Sequence, residues 1–168
     1  MEIFDGINER RSIRIYRDQP IEKDKLNKLI EAARWAPTAA NKQKFKLVIV
    51  NYEEKDLRKK LAVACNDQKF VETASNIIAG VSEQDYKWHQ VDTAIVLEHI
   101  VLEAVELCLG TCWIGAFQED AVKEILKIPK DKKVIALLIV GYPAESPLNR
   151  PRKDISELVS YNKYWNEI

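Results

Sequence analysis

The sequence predicts a single domain, residues 1–168, in which helices and short buried strands alternate, and three observations predict it. The chain has 168 residues, 46% of them hydrophobic, enough to bury one sizeable core and too few for two domains. Several stretches carry apolar residues at helical spacing. Between them lie short runs rich in β-branched residues, FKLVIV at 45–50, NIIAGV at 76–81 and VIALLIVGYP at 134–143, with the length and composition of buried strands.

Taken in order, Ile3, Phe4 and Ile7 predict a short helix that runs into a basic cluster at its exposed end. Pro20 is expected to open a second helix, with acidic residues in its first turn and an apolar stripe of Leu26, Leu29, Ile30 and Ala33 that Pro37 terminates. The stretch PTAANKQ, 37–43, has the composition of a loop and feeds the strand 45–50. Residues 53–65 read as a helix through Leu57, Leu61 and Cys65.

After the strand 76–81, the span 91–109 is apolar on almost every face and predicts a helix buried nearly all round. Gly110 is expected to end it as a left-handed cap. TCWIGAF, 111–117, reads as a strand or loop, 119–127 as a short helix, and 134–143 as the strongest strand. The remaining arm, 144–168, is rich in charge and proline yet carries Leu158, Val159, Tyr161, Tyr164 and Trp165. It cannot form a core of its own and is expected to pack across its own body or wrap a partner.

Composition narrows the function classes. Lys plus Arg equals Asp plus Glu at 26 each, so no global basic field exists to recruit nucleic acid, and any anion site must be local. Asp92, Glu98, Glu103 and Glu106 interrupt the longest apolar segment, which argues against a membrane span. Three cysteines without a CxxC pair, and no signal-like start, point to a reducing cytoplasm. Cys108 and Cys112 read as packing thiols, with no metal site expected, and His99 as a hydrogen-bonded interior or interface residue. No GxGxxG, P-loop or GxSxG motif occurs, and only 5 glycines argue against a dinucleotide-binding Rossmann domain.

Two local patterns carry chemistry. RRSIRIY, 10–16, crowds Arg10, Arg11, Ser12 and Arg14 just after a helix, which suits either an anion site or a satisfied, solvated helix terminus. Asn41 and Gln43 stand two apart before a buried strand, offering the paired donors and acceptors of a heterocycle edge or simply turn chemistry.

RRSIRIY, APTAANKQKFKLVIV, LGTCWIGAF and VGYPAESPLNRPRK, in that order along nearly the whole chain, together resemble the FMN-dependent nitroreductase family. The resemblance implies an α+β fold with a central, mainly antiparallel sheet flanked by helices, and an intertwined homodimer with one FMN at each of two interface sites. Arg10 and Ser12, with Arg11 in the same cluster, match the positions that hold the FMN phosphate and ribityl chain. Arg14 matches the basic residue beside the pyrimidine edge, where a fixed positive charge stabilises reduced flavin. Pro37, Thr38, Ala39, Ala40 and Asn41 match the loop that the partner subunit presents, and Gln43 its amide. Ile114, Gly115 and Ala116 match the turn facing flavin N5. Arg152, with Arg150 or Lys153, matches a basic pair that closes on the phosphate, and Gln68 lies near a position on the ring's polar edge.

The implied activity is oxidoreduction: hydride passes from NADH or NADPH to the flavin and on to a nitroaromatic, quinone or similar acceptor, in ping-pong order and without a catalytic side chain. Other flavin chemistry, such as reductive dehalogenation, or a non-catalytic flavin-binding dimer are the alternatives. The chain departs from the family in having Lys44 and Phe45 where Pro-Trp is usual, and in lacking room for a long insertion over the substrate side. Tyr86, Trp88 and His89 lie where that insertion would be, as a small lid or as ordinary packing.

Overall fold

The computed structural model describes residues 2–165, so Met1 and the last three positions of the 144–168 arm lie outside the described residues. Helices α1 (Ile3–Glu9) and α2 (Lys23–Arg34) precede strand β1 (Phe45–Val50). Then come α3 (Lys55–Ala64), a single turn α4 (Phe70–Thr73), β2 (Asn76–Glu83) and the long α5 (His89–Glu106). β3 (Gly110–Ile114), α6 (Glu119–Leu126), β4 (Lys132–Gly141) and a short α7 (Ile155–Leu158) complete the order. The fold is α+β: four strands in the order β1-β2-β4-β3, every neighbouring pair antiparallel.

The two-residue period of the central strands builds two cores at once. Ile77 and Ala79 of β2, with Leu137 and Ile139 of β4, face α3, α4 and α6. Ile78 of β2, with Ala136, Leu138 and Val140 of β4, faces α2 and α5. β2 is buried on both sides along nearly its whole length, which is why its sequence is a continuous apolar run rather than an alternation. Each fully buried Leu or Ile contributes about 1.5–3 kcal/mol through desolvation, so these layers fix the frame on which everything else is carried. Gly80 lets α5 lie close against β2: a Cβ there would stand 2.8 Å from Thr93 Cγ2 and 2.9 Å from Leu97 Cδ1.

Four local expectations change. α2 starts at Lys23 rather than Pro20, because the Ile21 N–H donates to Ser75 Oγ at 2.9 Å and holds Pro20–Ile21 extended. α4 has no signal in the hydrophobic period. α5 is buried on the face toward the sheet, while Val91 on its other side is 50% exposed and Ile95 and Leu102 are half-buried, since only α1 and α2 flank that side. Gly110 is not the left-handed cap: Cys108 takes that conformation at φ 58°, and Gly110 is the first residue of β3.

Candidate functional site

The basic cluster is laid along the outer edge of β3. Arg10 caps α1 by donating its backbone N–H to Gly6 O, and the chain then turns extended. Ser12 forms a parallel bridge with Thr111, and the Ile13 N–H donates to Thr111 O at 2.9 Å. Glu145 fixes the next residues from the far side: its Oε1 accepts from the N–H of Arg14 at 2.5 Å and of Ile15 at 3.0 Å. With its backbone so occupied, the segment buries Ile13 and Tyr16 in the core and leaves Arg14 exposed and Arg10, Arg11 and Ser12 half-buried.

Those side chains divide by what they touch. Arg11 Nη1 donates to Asn8 O and Arg10 O, so Arg11 satisfies the end of α1, the alternative the sequence leaves open for this cluster. The Arg14 guanidinium lies 5.8 Å from the centre of the Phe70 ring. The Arg10 side chain makes no hydrogen bond or ion pair among the described residues. Burial raises the Cys112 thiol pKa above its ordinary value, while Arg14 and Arg10 pull it back, and Arg10 lines a cavity with Gly110 and Thr111 of β3.

At the other end of β3, Gly115 follows Ile114, and a Cβ built on it would meet nothing within 4 Å. Gln68 joins this turn by donating Nε2 to Ala116 O at 3.2 Å and to Cys65 O at 2.7 Å. Arg10, Ser12, Arg14, Gln68 and the 114–116 turn therefore share one edge: cations at one end, an open turn with an amide at the other.

The loop 37–43 is elsewhere. It leads into Phe45, which pairs with Ser82, which in turn pairs with Lys133, whereas Thr111 beside Ser12 pairs with Val140. With strands about 4.8 Å apart and about 3.3 Å of rise per residue, the loop and the arginines stand at diagonal corners of the sheet, roughly 25 Å apart. Within the loop Ala40, Asn41 and Gln43 all adopt φ near +50°, without a glycine among them. Non-glycine residues in this region are uncommon and together represent stored strain. Thr38 braces the turn by accepting the Gln43 N–H on its Oγ1, and Gln43 Nε2 donates to Asn41 Oδ1 at 3.2 Å.

Two further side chains complete the loop: Asp92, which is not among the sequence's candidate site residues, and Tyr86, which is expected there as a small lid or as packing. The buried carboxylate of Asp92 accepts the Ala39 N–H, and Tyr86 donates its hydroxyl to Asp92 Oδ2 at 2.8 Å. Tyr86 is thus a support beneath the loop rather than a lid, and burial together with this hydrogen bond raises its pKa. His89 Nδ1 lies 2.5 Å from Tyr86 O, and Trp88 remains partly exposed. Asp92 could be read in advance only as an acid in the first turn of an apolar helix.

Arg150, Arg152 and Lys153 are exposed on the arm, where Lys153 pairs with Glu157 at 3.4 Å. The arm's start is near the cluster, since Ser146 and Pro147 line a cavity of about 310 Å³ with Arg10 and Arg11. Its later side chains are largely exposed among the described residues: Leu158 is 64% exposed and Trp165 is 86% exposed. Of the cysteines, Cys65 and Cys112 are buried and Cys108 is exposed, which corrects the reading of Cys108 as packing. His99, expected as a hydrogen-bonded interior or interface residue, is half-buried, with Nδ1 3.2 Å from Ala32 O. No group of three metal-ligating side chains, and no helix long and apolar enough to cross a membrane, occurs among the described residues.

Comparison with known proteins bears on the family and the fold. The sequence profile of the Nitroreductase family matches residues 7–83 and 68–142. A putative NADH dehydrogenase/NAD(P)H nitroreductase of Archaeoglobus fulgidus is 30% identical over 153 residues, covering 86% of this chain and 87% of that one. An FMN reductase [NAD(P)H] of Bacillus subtilis is 25% identical over 190 residues, covering 99% and 76%. The crystal structure of a nitroreductase family protein from Clostridium novyi NT superposes with a TM-score of 0.80 at 34% identity, covering 99% of this chain and 97% of that one. From the profile match, the level of identity and the shared fold together, this chain belongs to the nitroreductase family.

Proposed function

We propose that the protein is an FMN-dependent NAD(P)H oxidoreductase acting as a homodimer. FMN, once bound, would supply the redox chemistry, accepting hydride from NADH or NADPH at N5 and returning it in ping-pong order to a nitroaromatic, quinone or similar acceptor. The observation that carries this reading is the β3 edge, where Arg10, without a hydrogen bond or ion pair among the described residues, and the hydroxyl of Ser12 stand at one end and open space over Gly115 at the other. A guanidinium can bind phosphate through two parallel hydrogen bonds, and a turn without a side chain lets a planar ring approach backbone. The residues present therefore fit the cofactor.

Arg10 and Ser12 would hold phosphate and ribityl oxygens, Arg14 the pyrimidine edge, and Gln68 its polar rim. Arg11, committed to the end of α1, would hold the segment that carries them. The loop 37–43 stands at the opposite edge of the sheet from the arginines, roughly 25 Å away, which supports its delivery to the flavin of a second subunit. Exposed Ile3, Phe4 and Ile7 of α1, Val91 of α5 and the uncovered aromatics of the arm supply apolar surface for that subunit to bury. Arg150, Arg152 and Lys153 would then reach a phosphate as the arm crosses the partner. The protein's role in the reaction is orientation and charge, and no side chain need exchange a proton. The buried thiols of Cys65, its pKa raised to about 11 by burial, and Cys112 accord with a reducing cytoplasmic location.

The test is the visible spectrum of protein incubated with FMN and desalted, before and after anaerobic NADH and NADPH. A retained flavin band that bleaches is expected. Absence of any retained band would reject the assignment.

A further inference from the structure

We propose that Asp92, seconded by Tyr86, is a positioning residue for the flavin site: it holds the loop 38–43 in its left-handed form and so aims Asn41 and Gln43. The inference rests on the proposed function, in which this loop faces the flavin of a second chain.

The geometry points to it in three steps. Residues 38–43 have no strand pairing, and their hydrogen bonds to one another run through Thr38, Ala39 and Asn41. Among the described residues, their ties to the rest of the chain all end on the Asp92–Tyr86 pair. The Ala39 N–H donates to Asp92 Oδ1 at 3.1 Å and Oδ2 at 3.2 Å, while the Tyr86 hydroxyl lies 2.8 Å from Oδ2 and 3.4 Å from Ala39 O. A loop with three left-handed non-glycine residues relaxes unless its surroundings over-determine it, and here two side chains do so.

Asp92 is itself held rigidly. It is only 3% exposed, it lies in the first turn of α5 where the helix dipole favours a carboxylate, and that turn is pressed against β2 by the missing side chain of Gly80. No cation pairs with it among the described residues, so its charge is met by the Ala39 amide, the Tyr86 hydroxyl and the helix terminus. Lys44, at the loop's exit, lies 5.5 Å from the centre of the Tyr86 ring and is paired with Glu83 at 2.6 Å. A carboxylate buried without a cation and spent on one loop amide is placed for the loop.

The experiment titrates FMN into the full-length wild type and the variants Asp92→Ala, Asp92→Asn, Tyr86→Phe and Arg10→Ala. It reads the FMN Kd, the visible circular dichroism of bound flavin, and kcat and KM for NADH oxidation. Losing a charged hydrogen-bond partner is expected to weaken FMN binding roughly tenfold in Asp92→Ala, with a changed flavin dichroism at unchanged helix content. Asp92→Asn should fall between this and the wild type, and Tyr86→Phe should lose about two- to fivefold, the range of a neutral hydrogen bond. A folded Asp92→Ala dimer with wild-type Kd and dichroism, alongside an Arg10→Ala variant that loses flavin, would overturn the inference while leaving the proposed function standing. If Asp92→Ala does not fold, Tyr86→Phe decides by the same two readouts. A wild type that retains no FMN would overturn both.

Discussion

At the β3 edge, Arg10, Ser12 and Arg14 ride on backbone held by Gly6, Thr111 and Glu145, and the Arg10 side chain has no hydrogen bond or ion pair among the described residues. At the start of β1, the loop 37–43 is built the other way: its side chains are small or polar, its backbone is strained, and a buried carboxylate on another element holds it. In the proposed site the first region would recognise by charge on a relaxed frame, and the second by shape on a tensed one. A site shared between chains can thus divide its labour, with anion binding on the relaxed side and precise placement of amides on the strained side.

Separating the two halves genetically tests this division most severely. Arg10→Ala should weaken FMN binding by on the order of 100-fold, since it removes a charge-assisted contact to phosphate. An Asn41→Ala, Gln43→Ala chain should also bind poorly. Co-expressed with different tags and purified as a mixed dimer, the two chains should regain one flavin of wild-type affinity per dimer, because one of the two composite sites then holds both intact halves. If both halves came from a single chain, every site in the mixed dimer would carry one defect and flavin titration would show no tight site.

A smaller effect separates frame from ligand contact along β3 itself. At Gly110 a Cβ would stand 2.6 Å from Ile13 Cγ1 and 2.9 Å from Ile13 Cβ, so Gly110→Ala must displace the segment that carries Arg10 and Arg14. It should lower stability by about 1–3 kcal/mol and weaken flavin binding with it. At Gly115 the added methyl meets nothing in the chain, so Gly115→Ala should leave apo-protein unfolding within about 0.5 kcal/mol of wild type. Its flavin binding or reduction should nevertheless fall roughly tenfold, the cost of one misplaced methyl in a fitted pocket. Equal effects of the two substitutions on unfolding would mean that the 114–116 turn is structural and faces no ligand.

The same contrast explains what could be read in advance. Strands 45–50 and 76–81 are legible as short β-branched apolar runs, the helices on either side because burial writes a 3.6-residue period into local sequence, and the arginine cluster because charge is a property of residue type. The support of the loop is not. Ala39 and Asp92 are 53 residues apart, and no periodicity links a small loop residue to an acid in an apolar helix. Asn41 and Gln43 are visible as amides, yet their left-handed backbone is hidden because the usual sign of it, a glycine, is missing. Gly110 misleads for the converse reason: a glycine after a helix suggests a cap, but here it makes room for Ile13, and Cys108 takes the strained conformation instead.

The mildest substitution tests whether the open turn at Gly115 depends on α6. Glu119 opens that helix just beyond the turn and ties it to β4, accepting from Lys133 Nζ at 2.5 Å, Lys123 Nζ at 3.0 Å and the Val134 N–H at 3.1 Å. Burial alone would raise its pKa, but these donors outweigh it and hold the carboxyl below its ordinary value of 4.5. Because the folded value is the depressed one, the stabilisation is fully present above the unfolded value and is lost as pH falls through the folded one. Glu119→Gln should therefore cost about 0.5–1 kcal/mol at neutral pH, the size of a partly screened pair. Denaturant titrations should show the gap to wild type narrowing as pH drops below 4.5. FMN affinity should change less than twofold, since Gly115 is held through β3 and its bridge to Ser12 rather than through α6. A gap that persisted unchanged into acid would show that the carboxylate's charge contributes nothing, and a large loss of flavin would move the anchor of the 114–116 turn from the strand to the helix.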